Sequence, residues 1–494
     1  MSRRTALTCG ALVLLVFVMG AASSTVPPEL RALYDQKEYQ KVADGLSKLN
    51  QEQLASPDVR RLKIRTLAKL GNPQEALSEY DKLEGGLKQD DVPLLREVAL
   101  GFIVVLVKDM REQMRGAAYT ALKEIDSDET IPYFEDGLSD GSGPVRVLAA
   151  EGLGRSAKGR KSKKLRAALE DQAGIVKARA IKALGKSGDR SVIPLIEPAA
   201  KDDLATVRIA AFGALIRLGR TEAWEDLRKA AEAANPEDRA EALRTMADLN
   251  DQRAAPLMKN LLTYTQPSVR AAAARGLGHL HRTESREAIQ KLLDDPVPPV
   301  RESAAAALAD LGSRDSVPAL SRKLGDTAFS VRAAAAAALL QLGQPFDVVG
   351  PALTALAQHN DTAARSSAAF ALGKATEGNR QGAMMLLSGL TVDPLPGPKI
   401  VALRSLGHIG DQDILPDLKG AMHDQNEAVR ATAAGALLHV LPLVKQAAGA
   451  KLQPVDIARY HSVYVLGLRP ASPAKSFNRV PREGANLLFL SYPE

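Results

Sequence analysis

The chain has 494 residues, 45% hydrophobic and 25% charged, too long for one small domain and too apolar to stay unfolded. Aromatic residues make up only 4%, so the apolar share rests on alanine and leucine, which favours packed helices over a β-sandwich. A single cysteine, Cys9, excludes a disulfide framework, a thiolate metal site or a cysteine nucleophile in the body of the protein. A formal charge of +7 falls short of a dedicated nucleic-acid binder.

At the N-terminus Arg3 and Arg4 precede the apolar run from Ala6 to Gly20, and small residues follow at Ala21, Ala22, Ser23 and Ser24. This pattern predicts a signal peptide over residues 1–24, cleaved after Ser24, and a periplasmic or secreted product. The alternative, an uncleaved membrane anchor, asks the run to span a bilayer that needs ~20 apolar residues. Cleavage removes the only cysteine, which suits an oxidising compartment.

Over residues 27–84, a shift of 34 superposes Leu33 on Leu67, Val42 on Ala76 and Leu49 on Leu83. The stretch Leu67-Ala68-Lys69-Leu70-Gly71, followed by Glu75-Ala76-Leu77 and Tyr80, resembles a tetratricopeptide repeat. Two copies are too few to stand alone, so this segment is expected to cap a larger array.

That array occupies residues 100–445. Val145-Arg146, Val176-Lys177, Val207-Arg208, Val269-Arg270, Val300-Arg301 and Val331-Arg332 lie on one ladder of period 31. Met114-Arg115 and Asp238-Arg239 occupy two further rungs, and after slightly longer steps the ladder continues at Ala364-Arg365, Pro398-Lys399 and Val429-Arg430, giving eleven units. Four residues past each anchor stands alanine, from Ala118 to Ala433; eight past it stands leucine, with Met246 the exception. Apolar residues at these offsets form one stripe of a helix, and glycine twelve past the anchor (Gly188, Gly219, Gly312, Gly343) supplies its stop. Prolines eighteen past, such as Pro132, Pro194 and Pro256, suit the first turn of a second helix. Each unit therefore reads as helix, turn, helix.

Five residues before the anchor, eight of the eleven units carry aspartate. An aspartate in the inter-helix turn followed six residues later by arginine resembles the HEAT repeat, particularly the short bacterial form named after phycobilin lyases. The resemblance implies an all-α fold, a right-handed α-solenoid of the armadillo/HEAT type. It also implies a structural Asp–Arg ladder, carried here by Asp140, Arg146, Asp171, Lys177, Asp202, Arg208, Asp295, Arg301, Asp326 and Arg332. Asp238-Arg239, Pro398-Lys399 and the units without aspartate depart from the pattern, and interruptions are expected there. Eleven layers at ~10 Å each predict an extended scaffold of about 100 Å. Beyond it, residues 447–494 leave the repeat, with Pro454, Pro470, Pro473, Pro481 and Pro493 breaking them up, and read as an irregular C-terminal cap.

No sequence motif points to catalysis. Gly137-Leu138-Ser139-Asp140-Gly141 matches G-x-S-x-G, but it follows a helix where a nucleophile elbow needs a strand, and Asp140 is the repeat aspartate. His279, His408 and His439 share the position ten past the anchor; at ~10 Å between helix axes, His408 and His439 are expected to lie too far apart for one zinc and to be solvated. HEAT-type deoxyhypusine hydroxylases hold iron through His-Glu pairs, and this sequence has no His-Glu dipeptide. No metal and no cofactor is expected.

Surface charge says more. Six past the anchor stand Lys182, Arg244, Arg275 and Arg404, joined near the helix ends by Lys186, Arg217, Arg220, His279 and Arg282, which predicts a basic groove on the concave face of units three to six. Ala306, Ala337 and Phe370 continue it as an apolar stretch. Such a groove suits a protein or peptide partner, acidic or amphipathic. A second cluster, Arg155, Lys158, Arg160, Lys161, Lys163, Lys164 and Arg166, holds no acid and points to an anionic envelope component, lipid or polysaccharide. The leading expectation is an exported, non-catalytic scaffold. The competing ones are a lyase or oxidoreductase-type enzyme or accessory, which HEAT proteins sometimes are, and an envelope adaptor acting through the basic cluster.

Overall fold

The architecture follows from eleven copies of one packing problem, solved in a computed structural model that describes residues 26–86, 90–125, 127–410 and 412–443. The segment over residues 1–24 expected to be a signal peptide and the tail over 447–494 expected to be a cap lie outside the described residues, which are all-helical with connecting turns and contain no strand. Among them, no helix is long and apolar enough to cross a membrane.

The eleven anchors open eleven inner helices: Glu112–Lys123, Gly143–Arg155, Gly174–Gly185, Ala205–Arg217, Pro236–Asp248, Pro267–His279, Pro298–Asp310, Phe329–Gln341, Thr362–Leu372, Pro396–Ile409 and Glu427–Val440. Their starts are capped where the sequence offers a cap, as by Ser142, Asn235, Asp361 and Asn426, whose side chains take a first-turn N–H. Six of them are followed by a left-handed residue: Gly188, Gly219, Gly312 and Gly343, and in two units Asn250 and His281. The helices before each of them are mostly short, such as Ile131–Gly137 and Ile193–Ile196, and several run on as 3-10 turns. Inner helices pack side by side on their neighbours, whereas neighbouring outer helices mostly do not. A stack close on one side and splayed on the other must curve, with the inner helices on the concave wall.

All eleven alanines four past the anchor are fully buried. The tightest helix-to-helix approach lies elsewhere, where position nine of one unit meets position seven of the next. A Cβ on Gly185 would stand 2.7 Å from the Cα of Ala214, and one on Gly278 would stand 2.7 Å from the Cα of Ala307. Gly407 over Ala436 and Gly154 over Ala183 repeat the arrangement.

The curvature goes further than an extended solenoid. The last inner helix, Glu427–Val440, packs against the first, Glu112–Lys123, and against Val92–Val104 before it. Eleven units thus close into a ring, and the expected 100 Å rod is wrapped on itself. At ~9–10 Å per helix the wall is about 100 Å around and leaves an opening of roughly 20 Å. The closing helix pays no exposed face for its position at the end of the array: every residue from Ala428 to Leu438 is buried except Arg430, which is half-buried.

Val92–Val104 is the outer helix of the first unit and the most apolar of the N-terminal elements. Ten of its thirteen residues are buried, among them Leu94, Leu95, Val98, Phe102 and Ile103. It is covered by the first and last inner helices and, from outside, by Pro57–Lys69 and Pro73–Glu84 of the tetratricopeptide-like segment. Burying side chains of this size is worth roughly 1.5–3 kcal/mol each. In a closed array the N-terminal segment has no free end to cap. It lies across the outside of the seam.

Candidate functional site

The inter-helix turns carry a polar ladder along one rim. In each turn the aspartate accepts the N–H two residues on, as Asp140 does from Ser142 and Asp326 from Ala328. The arginine six residues later caps the turn's own carbonyls and reaches the aspartate of the next unit. Arg146 donates to both Asp171 oxygens (2.7 and 2.9 Å) and Arg301 to both of Asp326 (3.0 and 2.7 Å). Lys177 meets Asp202 at 3.0 Å, and Arg115–Asp140, Arg270–Asp295, Arg365–Asp393 and Lys399–Asp424 complete the set. Burial raises the Asp295 and Asp326 carboxyls, but the guanidinium and N–H donors outweigh it and hold both below the usual range.

The interruptions have local causes. Arg208 and Arg332 find no aspartate in the next unit and bond only the carbonyls of residues 202–203 and 326–327. Arg239 instead stacks 4.5 Å over the Tyr264 ring. Lys399 keeps its rung despite the unusual Pro398 before it, contrary to the expected break. At the seam Arg111 bridges Asp109 (2.8 Å) to Glu427 (2.6 Å) across the first and last turns.

The wall itself differs from a uniformly basic groove, because acids that offset-counting passed over sit against the cations. Lys182 pairs with Asp248 two units away, Arg244 with Glu241 (2.8 Å), Arg275 with Asp310 (3.8 Å) and Arg282 with Glu284. Glu151 ties Lys123 (2.7 Å) to Arg179 (3.2 Å) across three inner helices. Arg217 bonds only the carbonyl of Asp248, and Lys186 and His279 are exposed with no carboxylate partner among the described residues. Lys182 can reach over the fourth inner helix because Ala210 and Gly213 leave it low. Between them lies a dimple of about 90 Å³, lined by Ile175, Lys182, Ala210, Gly213, Arg217 and Asp248. Phe370, with Lys374 against its ring face at 5.4 Å, is half-buried further round.

His408 and His439 correct the spacing argument. Their rings stand 5.5 Å apart, edge to face, because both turn toward Glu124. His408 Nε2 lies 3.2 Å from the Glu124 carboxylate, Arg404 lies 3.1 Å from it, and His439 Nδ1 is 3.1 Å from the Glu124 carbonyl oxygen. The cluster clasps the first and last units, and among the described residues no group of His, Cys, Asp and Glu has the arrangement to hold a metal. On the outer side Lys419 reaches Glu84 and Asp90 (3.0 Å), and His423 lies 3.2 Å from Asp81.

Burial opposes ionisation of Glu124, yet the His408 hydrogen bond and the Arg404 and His408 charges prevail and hold its carboxyl at about 2. A carboxyl lowered on folding adds stability that is full above its unfolded value of about 4.3 and disappears as the pH falls toward 2. The Glu124→Gln variant is therefore expected to lose on the order of 2 kcal/mol at neutral pH and almost none near pH 2. Urea unfolding at both pH values measures it, and an equal loss at both refutes the clasp.

In the basic cluster, Lys164 pairs with Asp136 (3.2 Å) and Arg166 with Asp189 (3.2 Å), and Arg160 is a structural cap on carbonyls 154 and 155. Lys158, Lys161 and Lys163 are exposed.

The family model of HEAT repeats matches residues 162–238, 224–309, 285–373 and 383–450. No curated protein matches the sequence. Among solved structures, human deoxyhypusine hydroxylase in complex with glycerol aligns at 20% identity over 51% of this chain and 97% of its own, with a TM-score of 0.29. The complex of CpcE and CpcF of phycocyanin lyase from Nostoc sp. PCC7120 aligns at 22% over 46% and 92% (TM-score 0.32). Kap121p bound to Nup53p aligns at 15% over 83% and 56% (TM-score 0.31).

Proposed function

Because the chain belongs to the HEAT-repeat family, we propose that it is an exported, non-catalytic scaffold holding a protein or peptide partner against the inner wall of its ring. The observation that carries this reading is the dimple between units three and five. At about 90 Å³ it has room for one side chain of a partner. Arg217, which lines it, and the exposed Lys186 just past the end of the Lys182 helix have no carboxylate within ion-pair distance among the described residues, which favours an acidic or amphipathic segment. A ring with a ~20 Å opening admits a helix or an extended strand and excludes a folded domain.

A photoreactive amino acid in place of Thr206 or Arg217, on the wall, is expected to capture one discrete partner in native cells. The same probe in place of Lys229, on the outer surface, is not. Lys186→Glu with Arg217→Glu is expected to cut wall capture at least tenfold, and capture unchanged by that pair refutes the reading. Export is tested separately by sequencing the mature N-terminus, expected just after Ser24.

A further inference from the structure

We infer that the loop closing unit two is a second docking surface, built to rest on an anionic lipid bilayer. The loop is held by its own side chains. Six other units turn from inner helix to next outer helix through a left-handed residue; none of residues 155–166 has a positive φ, as is also true after unit nine. Instead the Arg160 guanidinium donates to the carbonyls of Gly154 (2.9 Å) and Arg155 (3.4 Å), supplying positive charge to the helix C-terminus.

Four further contacts pin the segment. Gly159 lies so close beneath the helix end that a Cβ there would stand 2.4 Å from the Leu153 carbonyl oxygen, and its N–H donates to Ser156 Oγ at 2.8 Å. Ser162 is buried and donates to Glu135 at 2.6 Å, and Leu165 is fully buried. The lysines between these anchors are Lys158, Lys161, Lys163 and Lys164, and all four are exposed. Anchored residues flank each of them closely, so the ammonium groups are displayed by an ordered backbone. Lys158, Lys161 and Lys163 have no carboxylate within ion-pair distance among the described residues.

The partner's chemistry follows from what the surface offers. Its uncommitted cations are all lysine, point charges suited to a diffuse anionic plane more than to bidentate recognition. Residues 155–166 hold no aromatic ring on which a sugar would stack. Exposed lysines without an aromatic platform fit lipid phosphates better than a polysaccharide chain. Each lysine near such a surface contributes about fivefold in affinity, so three together contribute about 100-fold.

Full-length mature chain is mixed with phosphatidylcholine vesicles, with and without phosphatidylglycerol, and sedimented at low and raised ionic strength. Sedimentation is expected only with the anionic vesicles and is expected to weaken with salt. Lys158→Gln/Lys161→Gln/Lys163→Gln is expected to lose about 100-fold, while Lys201→Gln/Lys259→Gln/Lys291→Gln, equally exposed and elsewhere, loses less than tenfold. Equal sedimentation on neutral and anionic vesicles, equal losses by both triple variants, or retention on an acidic polysaccharide matrix without vesicle binding overturns the proposal. The wall is untouched by these changes, so partner capture stays intact whichever way the result falls.

Discussion

Replacing Gly435 by leucine is expected to open the ring. A Cβ at this position would stand 3.0 Å from the Ala121 Cβ and carbonyl oxygen and 3.1 Å from its Cα, so a full side chain must push the last inner helix off the first. Overpacking of this kind ordinarily costs about 1–3 kcal/mol. At the seam it has a cheaper release than strain, because the two helices are joined by no local chain. Small-angle scattering of Gly435→Leu is expected to show a larger radius of gyration and maximum dimension. The control is Gly185→Leu, which clashes with Ala214 at an interior junction; there the neighbours are tied by the intervening helix, so instability is expected with little expansion. Equal dimensions for wild type and Gly435→Leu would refute the closed state in solution.

Removing a buried rung is expected to cost more. The Arg301 side chain is 10% exposed and that of Asp326 only 6%, and the guanidinium satisfies both carboxylate oxygens and the carbonyls of Asp295 and Pro296. Arg301→Ala leaves the buried Asp326 carboxylate with only Lys323, 3.7 Å away, and loses the bidentate bonds, a change worth about 3 kcal/mol, the low end of the range for breaking a buried pair. Arg332→Ala loses only two carbonyl bonds and should cost about 1–2 kcal/mol. Urea unfolding of the two variants measures the difference. The loss from Arg301→Ala should also shrink in acid, as protonation of Asp326 removes the stranded charge.

The unit was legible because its signals are local. Eleven alanines at one offset, a leucine four further on, and aspartate and arginine six apart are fixed by contacts inside a unit or with the next one, and those contacts repeat with the sequence. The ladder's rungs could be read for the same reason, since Arg146 and Asp171 are only 25 residues apart and recur in register. Closure was not legible. Whether a stack of similar units forms a rod, a superhelix or a ring depends on a small rotation per unit, and no single residue sets it. Glu124, His408 and His439 shared one offset in the sequence, but their meeting depended on units one, ten and eleven becoming neighbours. The wall's acids were missed differently: Glu151 and Asp248 occupy the positions counted for Lys182 and Lys186, and following cations alone hid the alternation.

Repeat number is ordinarily a free variable in arrays of this kind, which lengthen or shorten by whole units without disturbing the rest. A ring removes that freedom. Eleven units share one full revolution at about 33° each, so losing one leaves a gap a helix wide and gaining one leaves a helix without a place. The closing contacts join residues about 300 positions apart, such as Arg404 with Glu124, and their loop-closure entropy can be recovered only once the intervening units have formed. Length variation that evolution uses in open solenoids to fit new partners is therefore denied to this chain, and its recognition must diversify through substitutions on the wall and rims.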